Sequence, residues 1–255
     1  MNLFDSHAHM DDERFDGDRA ELLADFPEKG VRYLMNAACD LESSKAGIRL
    51  AYEYDWIYCA VGSHPDDADH VDEERIEIYR RLARENPKVR AVGEIGLDYH
   101  YEDVPREIQQ KAFRMQMRLA KELGLPVIVH EREAHGDGLQ IVDEFPGVTG
   151  VFHCFSGSAE FALELVRRGW YIGFTGVLTF KNARRAVEAA QAIPMDRILI
   201  ETDCPYMAPE PFRGRRCDPR LVRFTAQKLA EIRQITPDEA AEITLENACR
   251  LFAIQ

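Results

Sequence analysis

Residues 105–130 read PREIQQKAFRMQMRLAKELGLPVIVH, a charge-rich segment followed at once by a short apolar run that stops at a histidine. In the first part Ile108, Ala112, Met115 and Leu119 recur at helical spacing, which predicts an amphipathic helix. In the second, PVIVH is the kind of continuous β-branched run that a fully buried parallel strand needs. The same unit recurs along the chain. Apolar, β-branched runs fall at approximately residues 2–7, 32–38, 57–62, 89–96, 126–130, 148–153, 170–175 and 198–203, with amphipathic stretches between most of them. Strand then helix, repeated eight times, is the pattern of an α/β protein with a (β/α)8 TIM barrel. An open doubly wound sheet would show fewer strands and a Gly-rich first turn, and no GxGxxG follows the first run.

The length of 255 residues matches the roughly 250 typical of that barrel, and 45% hydrophobic residues supply a large core. Two helical segments close the chain, PRLVRFTAQKLAEIRQI at 219–235 and TPDEAAEITLENACRLFAI at 236–254. The second opens on Thr236-Pro237-Asp238-Glu239, a capping box with proline at the first helical position. No linker, low-complexity tract or repeat other than the β/α alternation is visible, so residues 1–255 read as a single domain.

A formal charge of −13, from 45 acidic against 32 basic side chains, argues against a protein that coats nucleic acid through a wide basic surface. It leaves room for an enzyme that grips a short stretch of phosphodiester locally, and favours small or single-stranded substrates over long duplexes. Local basic clusters exist at Arg213, Arg215 and Arg216, and at Lys181, Arg184 and Arg185. There is no apolar run of the roughly 18 residues that a membrane span needs. The opening MNLFDSHAHM lacks the regions of a secretory signal, which makes the cytoplasm the expected location. No coiled-coil seam or interface stripe is visible, which favours a monomer. The six cysteines are scattered without CxxC pairing, so a disulfide framework is not expected. Cys154 and Cys204 adjoin His153 and Asp203, but strand neighbours point to opposite faces, so neither thiol is expected to be a ligand.

Six residues able to bind a cation stand at the ends of these runs: His7 and His9 in FDSHAH, Glu94 in AVGEIGLD, His130 in PVIVH, His153 in GVFHCF and Asp203 in ILIETDC. Each has a plainer reading. His7 and His9 alone could be a solvent-exposed pair, Glu94 a buried salt bridge, His130 and His153 satisfied core histidines, and Asp203 a helix N-cap. Their common position tips the balance. Two histidines at i and i+2 share one side of a strand, and a buried carboxylate must be paired or coordinated. In a closed ring the first and eighth strands are neighbours, as are the fifth and sixth. His7, His9 and Asp203 would then serve one cation, His130 and His153 a second, and Glu94 could bridge. Mixed His and carboxylate ligation suits Zn, Mn or Mg better than a thiolate site, and two such cations can activate a shared water. Asp203 is the best candidate to accept that water's proton. His64 in GSHP and Arg132 in HER follow barrel strands and could face a phosphate, as could Arg213 in the loop after the eighth strand. A surface ion pair with Glu131 or Glu133 is the plainer reading of Arg132, and a solvated loop charge that of Arg213. Tyr99 and Phe155 could stack on bases, although aromatics near strand ends are more often packing residues.

These motifs together resemble the TatD family of metal-dependent deoxyribonucleases, among the amidohydrolase-like barrels. The matching stretches are FDSHAHMD at 4–11, GSHP at 62–65, GEIGLDY at 93–99, VIVHERE at 127–133, HCFSGS at 153–158, GFTGVLTFKNA at 173–183 and ETDCPYMAPEPFRGRRCDP at 201–219. The resemblance runs from about residue 3 to the C-terminus and, through the HxH pair, points to the branch that keeps that motif. It implies a distorted barrel of the metal-dependent-hydrolase type in which His7, His9, Glu94, His130, His153 and Asp203 bind two divalent ions. It also implies hydrolysis of phosphodiester bonds as a Mg-dependent 3′–5′ exonuclease on DNA ends, with Zn or Mn as other metals. Cys204 stands where the family usually has Ser, and Cys217 where it usually has Asn, which puts substrate contacts in doubt but not the ligands. Related barrels hydrolyse amides, lactones and esters, so a small ester, amide or phosphoester is the alternative substrate. A non-catalytic metal-holding scaffold is a third reading; a structural site is usually mononuclear and closed by four protein ligands, which argues against it.

Overall fold

The computed structural model describes residues 1–101 and 103–255. Eight strands are found among them: β1 (Leu3–Ala8), β2 (Val31–Asn36), β3 (Ile57–Val61), β4 (Val89–Asp98), β5 (Val127–Arg132), β6 (Gly150–Phe152), β7 (Tyr171–Phe174) and β8 (Ile198–Ile200). Helices alternate with them: α1 (Arg19–Asp25), α2 (Leu41–Glu53), α3 (Glu73–Glu85), α4 (Arg106–Leu123), α5 (His135–Asp143), α6 (Ala159–Arg167), α7 (Arg184–Ala192), α8 (Val222–Arg233) and α9 (Pro237–Phe252). The strands form a parallel sheet in the order β1 to β8, the (β/α)8 barrel that the alternation predicts. By chain contacts the molecule divides into two compact units, Met1–Asn36 with Cys154–Gln255, and Ala37–His153.

In the first unit β1 pairs with β2 and β7 with β8, all parallel. A bridge between Ala8 and Cys204, and the Ser6 hydroxyl donating to Ile200 O at 3.1 Å, bring β1 beside the chain of β8. β1 is buried along its whole length. α9 packs against β1 and β8, with the Phe4 and Phe252 rings 6.0 Å apart. The amide of Asn247 on α9 donates to Met195 O and Ile198 O and so fixes the entry to β8. The capping box forms as expected. Thr236 Oγ1 accepts from Glu239 N at 3.2 Å, and the Glu239 carboxylate accepts from Thr236 N at 2.8 Å.

In the second unit β3, β4, β5 and β6 are successive parallel neighbours. The expected stripe of α4 is corrected at one position. Ala112, Met115 and Leu119 are buried, but Ile108 is exposed. The buried face instead includes Gln109 and Gln116, seven residues apart and therefore on one side of the helix. α4 ends at Gly124, whose φ of +66° is the left-handed conformation a C-cap requires. Strand ends also differ from expectation: β4 runs on to Asp98, and β8 stops at Ile200, three residues before Asp203. No helix among the described residues is long and apolar enough to cross a membrane.

Candidate metal centres

In the first unit, His7 lies within β1 and His9 just past its end. Strand alternation puts both rings on one side, and their Nε2 atoms stand 3.1 Å apart. Asp203 Oδ1 is 3.7 Å from His7 Nε2 and 3.5 Å from His9 Nε2. The backbone sets this triangle. Asp203 N donates to His7 O and His9 N donates to Cys204 O, both at 2.9 Å. Asp203 has φ +56°, a conformation Asp tolerates better than most residues. It stands in a turn closed by Tyr206 N donating to Asp203 O, not at a helix N-terminus.

Two further buried carboxylates stand beside these residues. Asp5 accepts from Thr202 N at 2.8 Å and from the Thr202 hydroxyl at 2.6 Å, tying β1 to the residue before Asp203. Complete burial pushes the Asp5 carboxyl up to about 8, against the pull of those two bonds. Glu201 accepts from Cys154 N at 2.5 Å and from the Ser6 hydroxyl at 3.2 Å. Neither Cys154 nor Cys204 lies on a strand, so alternation is not what orients them. The Cys154 thiol lies 3.7 Å from the Thr175 hydroxyl and the Cys204 thiol 3.8 Å from Met10 Sδ.

In the second unit Glu94 lies within β4 and His130 within β5, whereas His153 directly follows β6. The β4–β5 register shifts between Val92 and Ile95, and at this bulge Glu94 N donates to Ala38 O at 2.7 Å. Beyond it Gly96 is obligatory: φ is +144° and a Cβ would fall 2.0 Å from His130 O. Glu94 Oε1 is 2.8 Å from His130 Nδ1 and 2.5 Å from His153 Nε2, and those two nitrogens are 3.2 Å apart. The far side of the His130 ring, Nε2, is 3.0 Å from Asp98 Oδ2. Burial alone would lower the His130 value; its bonds to Asp98 and Glu94 raise it above the ordinary range instead. Burial likewise opposes the charge of Asp98, but His130 outweighs it and holds that carboxyl below its usual value.

Both triangles fit a divalent cation. Ligand atoms about 2.0–2.2 Å from one metal stand roughly 3–3.5 Å from each other; the first group lies at 3.1–3.7 Å and the second is tighter, at 2.5–3.2 Å. In the second group a proton on His130 Nε2, donated to Asp98, leaves the Nδ1 lone pair facing Glu94 and His153. That is the carboxylate–histidine arrangement of metal sites.

Of the proposed phosphate contacts, His64 caps the turn Pro65–His70, accepting from Asp66 N at 3.2 Å. Its Nε2 is 3.9 Å from Glu94 Oε1 and its ring packs edge-on against His130, so Glu94, His130 and His64 together form a further group able to hold a metal. Arg132 ends β5 with its guanidinium 5.2 Å from the Tyr101 ring. Its carboxylate neighbours are engaged elsewhere, Glu131 with His135 and Glu133 with His100. Arg213 is exposed and lies over the Phe180 ring at 4.3 Å. Phe155 is buried against Phe161 and Phe174, a packing residue. The Tyr99 hydroxyl donates to Asp137 at 2.7 Å, and its ring lies under Arg106.

Three residues of this half escape the sequence reading. Asp98 is one, and the glutamines of α4 are the others. Gln109 accepts from Asp98 N and donates to Asp98 O, each at 2.9 Å. Gln116 accepts from Ser63 N at 2.8 Å and donates to Ser63 O at 2.9 Å, holding the residue before His64. The signal for Asp98 was present: four residues beyond Glu94 on one strand places both on the same face.

Comparison with known proteins points one way. A family model described as TatD related DNase matches residues 4–253. The chain is 43% identical to the uncharacterized metal-dependent hydrolase YabD of Bacillus subtilis, over 99% of both proteins. It is 36% identical to a protein of Cronobacter sakazakii named 3′-5′ ssDNA/RNA exonuclease TatD, covering 98% of this chain and 97% of that one. Among solved structures, YJJV, a TatD homologue of Escherichia coli, superposes with a TM-score of 0.93 at 32% identity, covering 99% of this chain and 98% of that one.

Proposed function

The chain belongs to the TatD family of metal-dependent hydrolases, and from that premise we propose that it is a two-metal phosphodiesterase acting as a 3′–5′ exonuclease on single-stranded DNA ends. The observation that carries this reading is the convergence of imidazole nitrogens and carboxylate oxygens into two groups: His7, His9 and Asp203, and Glu94, His130 and His153. On a (β/α)8 barrel both lie in or beyond the C-terminal halves of their strands, the side on which barrel enzymes build their sites. We read residues 1–255 as one domain on the same ground, with Glu94 among the residues that would hold the ions. The exonuclease name of the Cronobacter relative supports the substrate class.

Bound there, two divalent ions would supply a water of lowered pKa and stabilise charge on the attacking and leaving oxygens. The protein's own part is positional. His7, His9, His130 and His153 present lone pairs, and Asp98 fixes the ring of His130. Asp203 accepts the proton of the attacking water. His64, Arg132 and Arg213 supply contacts to the substrate phosphates. Mg is the expected activating ion, with Mn and Zn as alternatives.

Chelated protein should cleave a labelled single-stranded oligonucleotide only after Mg or Mn is restored, and Glu94→Ala should abolish that cleavage while leaving the fold intact. Cleavage that persists in EDTA, or survives Glu94→Ala, would overturn the two-metal reading. Rapid turnover of an ester or amide with no nuclease activity would select a small-molecule hydrolase instead.

A further inference from the structure

We infer that Tyr101 and Arg132 form a nucleotide-binding step beside the second metal group, with Arg132 taking a backbone phosphate and Tyr101 the base attached to it. This rests on the nuclease reading and deepens it. The geometry comes from two adjacent strands. His130 and Arg132 are two apart on β5 and project from the same face. Arg132 therefore stands about 6.6 Å further along the strand, within reach of a phosphate next to the one being cleaved. Its register partner on β4 is Asp98, the residue that holds His130, and Tyr99 N donates to Arg132 O at 2.9 Å.

Three residues past Asp98 stands Tyr101, 51% exposed, one of the few large apolar side chains left open to solvent among the described residues. Its ring is held before any ligand arrives. Arg132 lies over it at 5.2 Å and His100 packs edge-on at 4.9 Å. His100 is anchored in turn, its N donating to Asp98 at 2.9 Å and its Nδ1 standing 2.8 Å from Glu133. A guanidinium lying over an aromatic ring keeps its charge and its donors for a phosphate. A fixed ring that remains half exposed is what a base needs for stacking. An exposed aromatic and the guanidinium lying over it thus stand just beyond the metal group, at or past the ends of β4 and β5.

The test is steady-state hydrolysis of a short single-stranded oligonucleotide, and of counterparts carrying one abasic residue at each terminal position in turn. Tyr101→Ala should raise KM for the intact oligonucleotide about tenfold with kcat within about twofold, in the range that loss of a stacking ring produces. Tyr101→Phe should behave as wild type. At one abasic position the wild type should lose the same factor and Tyr101→Ala should lose nothing more. A KM indifferent to Tyr101→Ala, or raised equally on every abasic counterpart, overturns the inference while the nuclease reading stands. If the wild type turns over no oligonucleotide with Mg or Mn, both fall together.

Discussion

Asp98 illustrates how a site residue can be hidden in plain text. It sits in GEIGLDY, but a strand read as ending near residue 96 leaves it in a loop; β4 in fact continues to it, and its carboxylate meets His130 Nε2 at 3.0 Å. His7, His9, Glu94, His130, His153 and Asp203 were each legible because a charged or imidazole group at the end of a buried apolar run is anomalous. Asp98, Gln109 and Gln116 were not, because an acid near a strand end and amides on a charge-rich helix look like ordinary surface. Outer partners of ligating histidines typically change metal affinity or activity by about 10- to 100-fold. Asp98→Asn should therefore weaken metal binding by about that factor without unfolding the protein. Metal titration of chelated protein reads this directly, and an unchanged affinity would show that Asp98 does not orient His130.

At the scale of elements, the hydrophobic period places each helix and strand but not its ends or its buried polar contacts. α4 shows the cost. Counting only apolar residues put Ile108 in the stripe and left Gln109 out, whereas the helix turns its amides inward to satisfy the backbone at Asp98 and Ser63. Those backbone groups are buried and need partners, a demand made by the strands that no reading of the helix alone contains. α9 is the opposite case, since its start is local chemistry. Thr236 and Glu239 cap each other as their spacing predicts. Thr236→Ala should lower stability by about 1 kcal/mol, the typical cost of losing such a cap. Thermal or urea denaturation would measure it, and a stability equal to wild type would mean that the packing of α9 on β1 and β8 makes the cap redundant.

For the whole molecule, the strongest expectation concerns metal. An ion that binds only the folded protein stabilises it by about 2.7 kcal/mol at a hundredfold excess over Kd, roughly a 5–10 °C rise in Tm for a chain of this size. Chelated protein should show that rise on addition of Mn or Zn, and Glu94→Gln should lose most of it; a Tm indifferent to every divalent ion would leave the ligand groups without an occupant. The alternation of runs along 255 residues determined the barrel, because a parallel strand must be followed by a crossover and an eightfold repeat closes the ring. The family is likewise written in the linear motifs, since residues at strand ends keep their neighbours in sequence. What only the tertiary structure decided is which side chains face one another. The 3.5 Å between His9 and Asp203, the shared Glu94 oxygen between His130 and His153, and the Asp98 carboxylate behind the His130 ring depend on how strands pair and on a bulge between Val92 and Ile95. Register arises from pairing with a neighbouring strand, and that information lies between segments of the chain and in neither one alone.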